Sequence, residues 1–396
     1  MSTPSMIVFL KTETGSGLLL ALAALSAVIW ANSPWASAYD SLTHHVITVQ
    51  LGSFSEAMGL SSWVKAALMP IFFFVIGLEI KHEILRGELS NPRRLALPLL
   101  AAAGGVVGPA VVYLALNQGP TGAISGWPIP TATDIAFALS ALAIVGRQLP
   151  PSLRIFLLTL AIVDDLVAVI LIAVMFTASL DLPMLAGAGL VLAAMAGLSR
   201  RRAAPIALWV LCALILWGFA MKSGINTSLA GVAAALCIPL APRRPDSEGQ
   251  LSAVMAALHP YVAFFILPLF AFTASGFSLQ GSITETLLSP VALGIAAGLF
   301  FGKQIGVFGA TALAIGLTLA KRPSAVTWME LYGVSALCGV GFTMSLYIGA
   351  LAFPDTDVLR ETQVRAGVVL GSLASALLGI GILALCASRR DRKPQR

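Results

Sequence analysis

The first thing missing from this 396-residue chain is charge: only 11% of its residues are Asp, Glu, Lys or Arg, and 58% are hydrophobic. A soluble domain carries about 25% charged residues. A soluble fold of this composition would lack the polar groups to cover its surface. The bilayer is therefore the solvent, and each span must satisfy its own backbone hydrogen bonds. Cysteine is also scarce. Cys212, Cys237, Cys338 and Cys386 sit in apolar runs with no Cys-x-x-Cys spacing, which reads as small side chains packed between helices rather than a disulfide framework or a zinc site. The four histidines, His44, His45, His82 and His259, show no metal-ligand spacing. No cofactor is called for.

What is present is a series of long apolar runs. A span needs about 20 mostly apolar residues. Twelve segments qualify, near 15–31, 63–84, 95–116, 122–146, 152–177, 183–199, 204–221, 225–240, 255–276, 290–316, 328–350 and 363–387. The chain thus reads as an all-α polytopic membrane protein of twelve transmembrane helices, one integral membrane domain over residues 1–396. Leu18–Trp30 followed by Ala36-Ser37-Ala38 resembles a cleavable leader, but Lys11 is the only positive charge before it and Glu13 offsets it. This run is expected to stay as the first helix.

The net charge of +6 follows topology. With the N-terminus in the cytoplasm, Lys11, Lys81, Arg86, Arg93, Arg94, Arg147, Arg154, Arg200–Arg202, Arg243, Arg244, Lys321, Arg322, Arg389, Arg390, Arg392, Lys393 and Arg396 all fall on the inner side. Only Lys65, Lys222, Arg360 and Arg365 fall outside, and Lys303 lies within a span. That asymmetry places both termini in the cytoplasm and explains the basic balance without nucleic acid. Between spans one and two, Val46–Leu51, Gly52-Ser53 and a second short run predict a small outer-face β-hairpin at 45–58. Its exposed edge could pair with a second copy in a homodimer.

Spans four and eleven contain helix breakers: Pro128-Ile129-Pro130 in one, Gly339-Val340-Gly341 in the other. Two discontinuous helices in corresponding positions point to a transporter's binding site, with spans 3–5 and 10–12 as an inverted repeat. Non-helical backbone at membrane depth requires protein or a watery cavity around it.

A charge at mid-span costs about 2.5–3.5 kcal/mol, so the acids there are candidates for function. Asp164 and Asp165 are adjacent near the middle of span five. They lie about 100° apart on a helix and face one cavity. Burial and mutual repulsion both favour protonation, so a proton can compete with a cation for the same oxygens, and the titration belongs to the pair. Thr133 and Asp134 follow the break in span four, where an acid can offset half-helix dipoles or touch an ion. Lys303, in the middle of span ten, can pair with a buried aspartate. Glu79, Lys81, His82 and Glu83 close span two as either a solvated helix end or a cation-attracting entrance.

Several stretches together resemble the bacterial NhaA-type sodium/proton antiporters over nearly the whole chain: Gly77-Leu78-Glu79-Ile80-Lys81, Ala132–Leu139, Val163-Asp164-Asp165, Leu258-His259-Pro260, Leu267–Phe272 and Gly302-Lys303-Gln304. The family is itself an example of inverted repeats and broken helices. The resemblance implies that Asp164 and Asp165 bind sodium, or lithium, and protons, with Asp165 central to the cation and Asp164 paired with Lys303. It also implies that Thr133 and Asp134 support the span-four crossing. Exchange would be electrogenic, in the bacterial inner membrane, with dimers formed through the outer hairpin. Asn226, His82, Met255 and Ala256 depart from the family pattern at positions tied to pH control, while His259 is retained. A shifted or broader pH response is therefore expected. The rival readings are a sodium- or proton-coupled solute symporter and an intramembrane aspartyl protease in which Asp134 and Asp164 share a proton.

Overall fold

Apolar side chains on every face of a segment leave the helix as the only way to close its backbone hydrogen bonds in lipid. The structure, a computed structural model, describes residues 13–51, 54–90, 92–145, 148–177, 180–200, 204–240, 249–278, 283–353 and 357–391. In chain order, α1 (Glu13–Ala31) and the short α2 (Ala36–Thr43) lead into strands β1 (Val46–Leu51) and β2 (Phe54–Gly59). The helices α3 (Leu60–Arg86), α4 (Pro92–Leu116), α5 (Ile135–Val145), α6 (Pro151–Met175), α7 (Leu182–Arg200), α8 (Ile206–Ser223), α9 (Thr227–Cys237) and α10 (Gln250–Ser275) follow. The chain continues through α11 (Ile283–Leu287), α12 (Pro290–Gly316), α13 (Trp328–Leu337), α14 (Phe342–Ala352) and α15 (Val358–Asp391).

Among the described residues, ten stretches are long and apolar enough to cross a membrane, the 3-10 turns and α5 over Ile124–Val145 counting as one of them, or eleven if α13 and α14, bent by 42° at a short break, count as one. The segment expected near 225–240 is the eleven-residue α9. It rises about 16 Å, roughly half of the hydrocarbon thickness. The hairpin is present, with β1 antiparallel to β2 in the register Val46↔Gly59 through Leu51↔Phe54. Its expected Gly52-Ser53 turn lies outside the described residues, as do Lys11, Arg147, Arg201, Arg202, Arg243, Arg244, Arg392, Lys393 and Arg396. Trp63 fastens the hairpin to the start of α3 by donating its indole N–H to the Ile47 carbonyl at 2.8 Å.

Contacts divide the chain into two compact units. One draws on Met1–Asp40, Asn91–Ala168 and Ala274–Arg396, the other on Ser41–Ser90 and Val169–Thr273. The first has a core built around Leu153, Leu157, Leu160, Val334 and Leu337. The second packs Leu78, Met195, Trp209, Leu216 and Ala235.

Two backbone breaks shape the first unit. Pro128 and Pro130 lack N–H donors. The chain there makes one 3-10 turn at Ile129–Thr131, extends at Ala132, and starts α5 at Ile135. The second break runs from Cys338 to Gly341 between α13 and α14. The two breaks satisfy one another: Asp134 N–H donates to the Val340 carbonyl at 2.7 Å and Ser345 Oγ to the Ile129 carbonyl at 2.7 Å. Exposed backbone polarity at this depth is thus met by protein.

A seam of small residues joins α4 to α12. A methyl group on Gly104 would collide with the Gly306 carbonyl, and one on Gly108 with the Gly302 carbonyl. Such four-residue spacing lets membrane helices approach closely. Lys303 sits on that seam between two π-helical turns, Gly298–Gly302 and Gln304–Phe308, and its own N–H reaches back to the Gly298 carbonyl. One-turn widenings of this kind are frequent at functional positions.

Candidate functional site

Lys303 is completely buried. Its Nζ lies 2.6 Å from Asp164 Oδ2, and both side chains of the ion pair are shielded from solvent. Thr133 Oγ1 lies 2.6 Å from the same Asp164 oxygen and 2.9 Å from the Cys338 carbonyl. The other carboxylate oxygen, Asp164 Oδ1, is buried and has no hydrogen-bond partner among the described residues. A buried ion pair of this type is weak evidence for stability, and an unpartnered buried oxygen beside it is a place where a water or an ion can bind. Asp165 is 3% exposed and follows on the same helix, about 100° around it.

Asp134 does different work. Its Oδ1 accepts the Phe137 N–H at 3.0 Å, in the first turn of α5. Its Oδ2 accepts the Thr343 N–H at 3.0 Å and the Thr343 hydroxyl at 2.5 Å, in the first turn of α14. One carboxylate thereby caps two helix N-termini. Each carries about half a positive charge, so a single negative charge offsets both. No hydrogen bond joins Asp134 to Asp164 among the described residues.

Of the residues singled out in the sequence, Thr133, Asp164 and Lys303 meet directly, and Asp134 meets the second break. Three contributors were not anticipated. Thr343 completes the double cap, and its signal was a hydroxyl directly after a glycine-rich break. The buried Cys338 carbonyl, at the C-cap of α13, accepts the Thr133 hydroxyl. Gly105 on α4 lies open to the site: a Cβ there would stand 3.5 Å from Lys303 Nζ and 3.8 Å from Asp164 Oδ1.

Residues 8–383 match the model of the family described as Na+/H+ antiporter 1. The Na(+)/H(+) antiporter NhaA of Bordetella parapertussis is 48% identical over 389 residues, 96% of each chain. The Na(+)/H(+) antiporter NhaA 2 of Pseudomonas syringae pv. syringae is 45% identical over 96% of this chain and 95% of its own. The NhaA of Caulobacter vibrioides is 46% identical over 96% of this chain and 90% of its own. This chain belongs to the Na+/H+ antiporter 1 family.

As a family member, the protein carries a second polar group, in its other unit. Glu79, His82 and Glu83 lie along the last turns of α3, with His82 Nδ1 3.9 Å from Glu83 Oε1. Glu83 Oε2 accepts the Glu88 N–H at 2.9 Å. Lys81 caps the end of α9 by donating to the carbonyls of Leu236 at 2.6 Å and Ile238 at 2.7 Å. The first part of α10 (Gln250–Tyr261) packs on α3 and carries Met255, Ala256 and the exposed His259. Asn226 is the N-cap of α9, accepting the Ser228 N–H at 2.9 Å. The Asn226 side chain thus has a structural use of its own.

Proposed function

We propose that this chain is an electrogenic sodium/proton antiporter of the bacterial inner membrane that also accepts lithium, with Asp164 and Asp165 as the ion-binding pair. The observation that carries the mechanism is the unpartnered Asp164 Oδ1 beside the buried Lys303–Asp164 pair. A sodium ion seated on that oxygen and on Asp165 brings positive charge beside the Lys303 ammonium. It thereby favours loss of the protons held by Lys303 and Asp165. Protons that rebind expel the cation, so whichever ion occupies the site excludes the other. More protons enter than sodium ions leave.

Alternating access then swings this site between the two sides of the bilayer, within a twelve-span architecture of inverted repeats over spans 3–5 and 10–12. The breaks before α5 and between α13 and α14 support reading spans four and eleven as the discontinuous pair. Asp134 and Thr133 hold the crossing, while Glu79, His82, Glu83 and His259 form the cytoplasmic entrance and set the pH response. Both termini are cytoplasmic, and two copies pair through the 45–58 hairpin. The single transporter domain needs no cofactor.

The test uses purified protein in weakly buffered detergent with a pH indicator. Sodium should release protons from the wild type and none from Asp165→Asn. Undiminished release from the variant would overturn the assignment.

A further inference from the structure

The second unit contains a cavity of about 590 Å3 between α3, α8, α9 and the start of α10. That volume falls in the range of about 300–1,000 Å3 typical of small-molecule sites. Its walls include Phe74, Leu214, Trp217 and Leu258, and among the described residues no Asp, Glu, Lys, Arg or His lines it. Two polar side chains do. Gln250, 8% exposed, and Trp209, 4% exposed, both carry buried N–H donors, Nε2 and Nε1, with no hydrogen-bond partner among the described residues. The neighbouring Trp217 gives the contrast: its indole N–H is satisfied by the Ala66 carbonyl at 2.7 Å. An unmet buried donor costs free energy that a bound acceptor would return.

We infer that this cavity is a lipid site. It takes one acyl chain of a diacyl glycerolipid from the surrounding bilayer, with the ester carbonyl accepting from Gln250 Nε2 and Trp209 Nε1. Three features select that occupant. The walls are apolar and match a hydrocarbon chain. The two orphaned groups are both donors, so they want an acceptor. Among the described residues no cationic side chain lines the cavity, which favours an uncharged carbonyl over a phosphate as the anchor. Retention should therefore depend on the ester linkage and be indifferent to headgroup charge. Gln250 begins α10, so its side chain can turn toward the ester without disturbing a helix interior.

The test counts lipid retained by the delipidated, full-length protein after reloading, using native mass spectrometry. Zwitterionic and anionic diacyl lipids should be retained equally. Their ether-linked analogues, which lack the carbonyl, should bind about three- to tenfold more weakly, the worth of one or two net hydrogen bonds. Gln250→Met keeps the volume and removes the donor, and should erase the ester-over-ether preference. Ala213→Phe narrows the cavity and should remove the retained lipid for both linkages. Equal retention of ester and ether lipids by the wild type would overturn the inference, as would binding only of anionic lipids. The comparison is made on the unmodified protein, so it stands even if a variant misfolds.

Discussion

Thr133 has one hydroxyl proton and two acceptors within reach, Asp164 Oδ2 and the Cys338 carbonyl. With the carboxylate ionised, the proton is best spent on Asp164, since hydrogen bonds to charged groups contribute about 1.5–3 kcal/mol and neutral ones about 1 kcal/mol. When Asp164 is protonated or occupied by a cation, the proton is free to turn to Cys338. Thr133→Val should therefore raise the apparent KM for sodium by about tenfold or more, while Thr133→Ser stays near wild type; transport in proteoliposomes at varied sodium checks both. Asn226 poses a different residue-scale question. Its side chain caps α9, so Asn226→Ala should cost about 1 kcal/mol of stability, seen as a lowered Tm.

At the scale of elements, the position of Lys303 depends on how closely α4 and α12 approach. Gly104 and Gly108 face Gly302 and Gly306 with no room for a side chain. Gly306→Leu should force the helices apart and draw Lys303 away from Asp164. The expected result is loss of sodium-induced proton release in a protein that still inserts and purifies, measured by the same pH-indicator assay. The sequence does not show this seam: packing of Gly302 and Gly306 against Gly104 and Gly108 is a property of two helices about 200 positions apart in the chain. The backbone breaks were legible for a local reason, because proline lacks a donor and glycine weakens helix wherever they occur. Their mutual hydrogen bonds were not.

At the scale of the whole molecule, β1 presents exposed Val46, Ile47 and Val49 on a two-stranded sheet. A bare edge of this kind invites pairing with another copy. Deleting residues 45–58 should shift the protein from dimer to monomer in crosslinking and size measurements while leaving sodium-induced proton release intact. Cysteines introduced near residues 321 and 390 should be labelled only from the cytoplasmic side, which tests the orientation deduced from the basic loops.

The amino-acid sequence alone determined the solvent, because a chain with this little charge has no stable arrangement in water. It also determined most of the spans, the two breaks and the identity of the intramembrane acids, since each is a local departure from an apolar background. The tertiary structure decided the pairings. Thr133 reaches Asp164 across 31 residues, Lys303 reaches Asp164 across 139, and Thr343 reaches Asp134 across 209. It also gave the acids different surroundings: Asp134 caps two helices, and Asp164 Oδ1 has no hydrogen-bond partner among the described residues. The physical reason is that burial makes a charge costly wherever it sits along the chain, whereas the group that compensates it is chosen by which helices pack together in space.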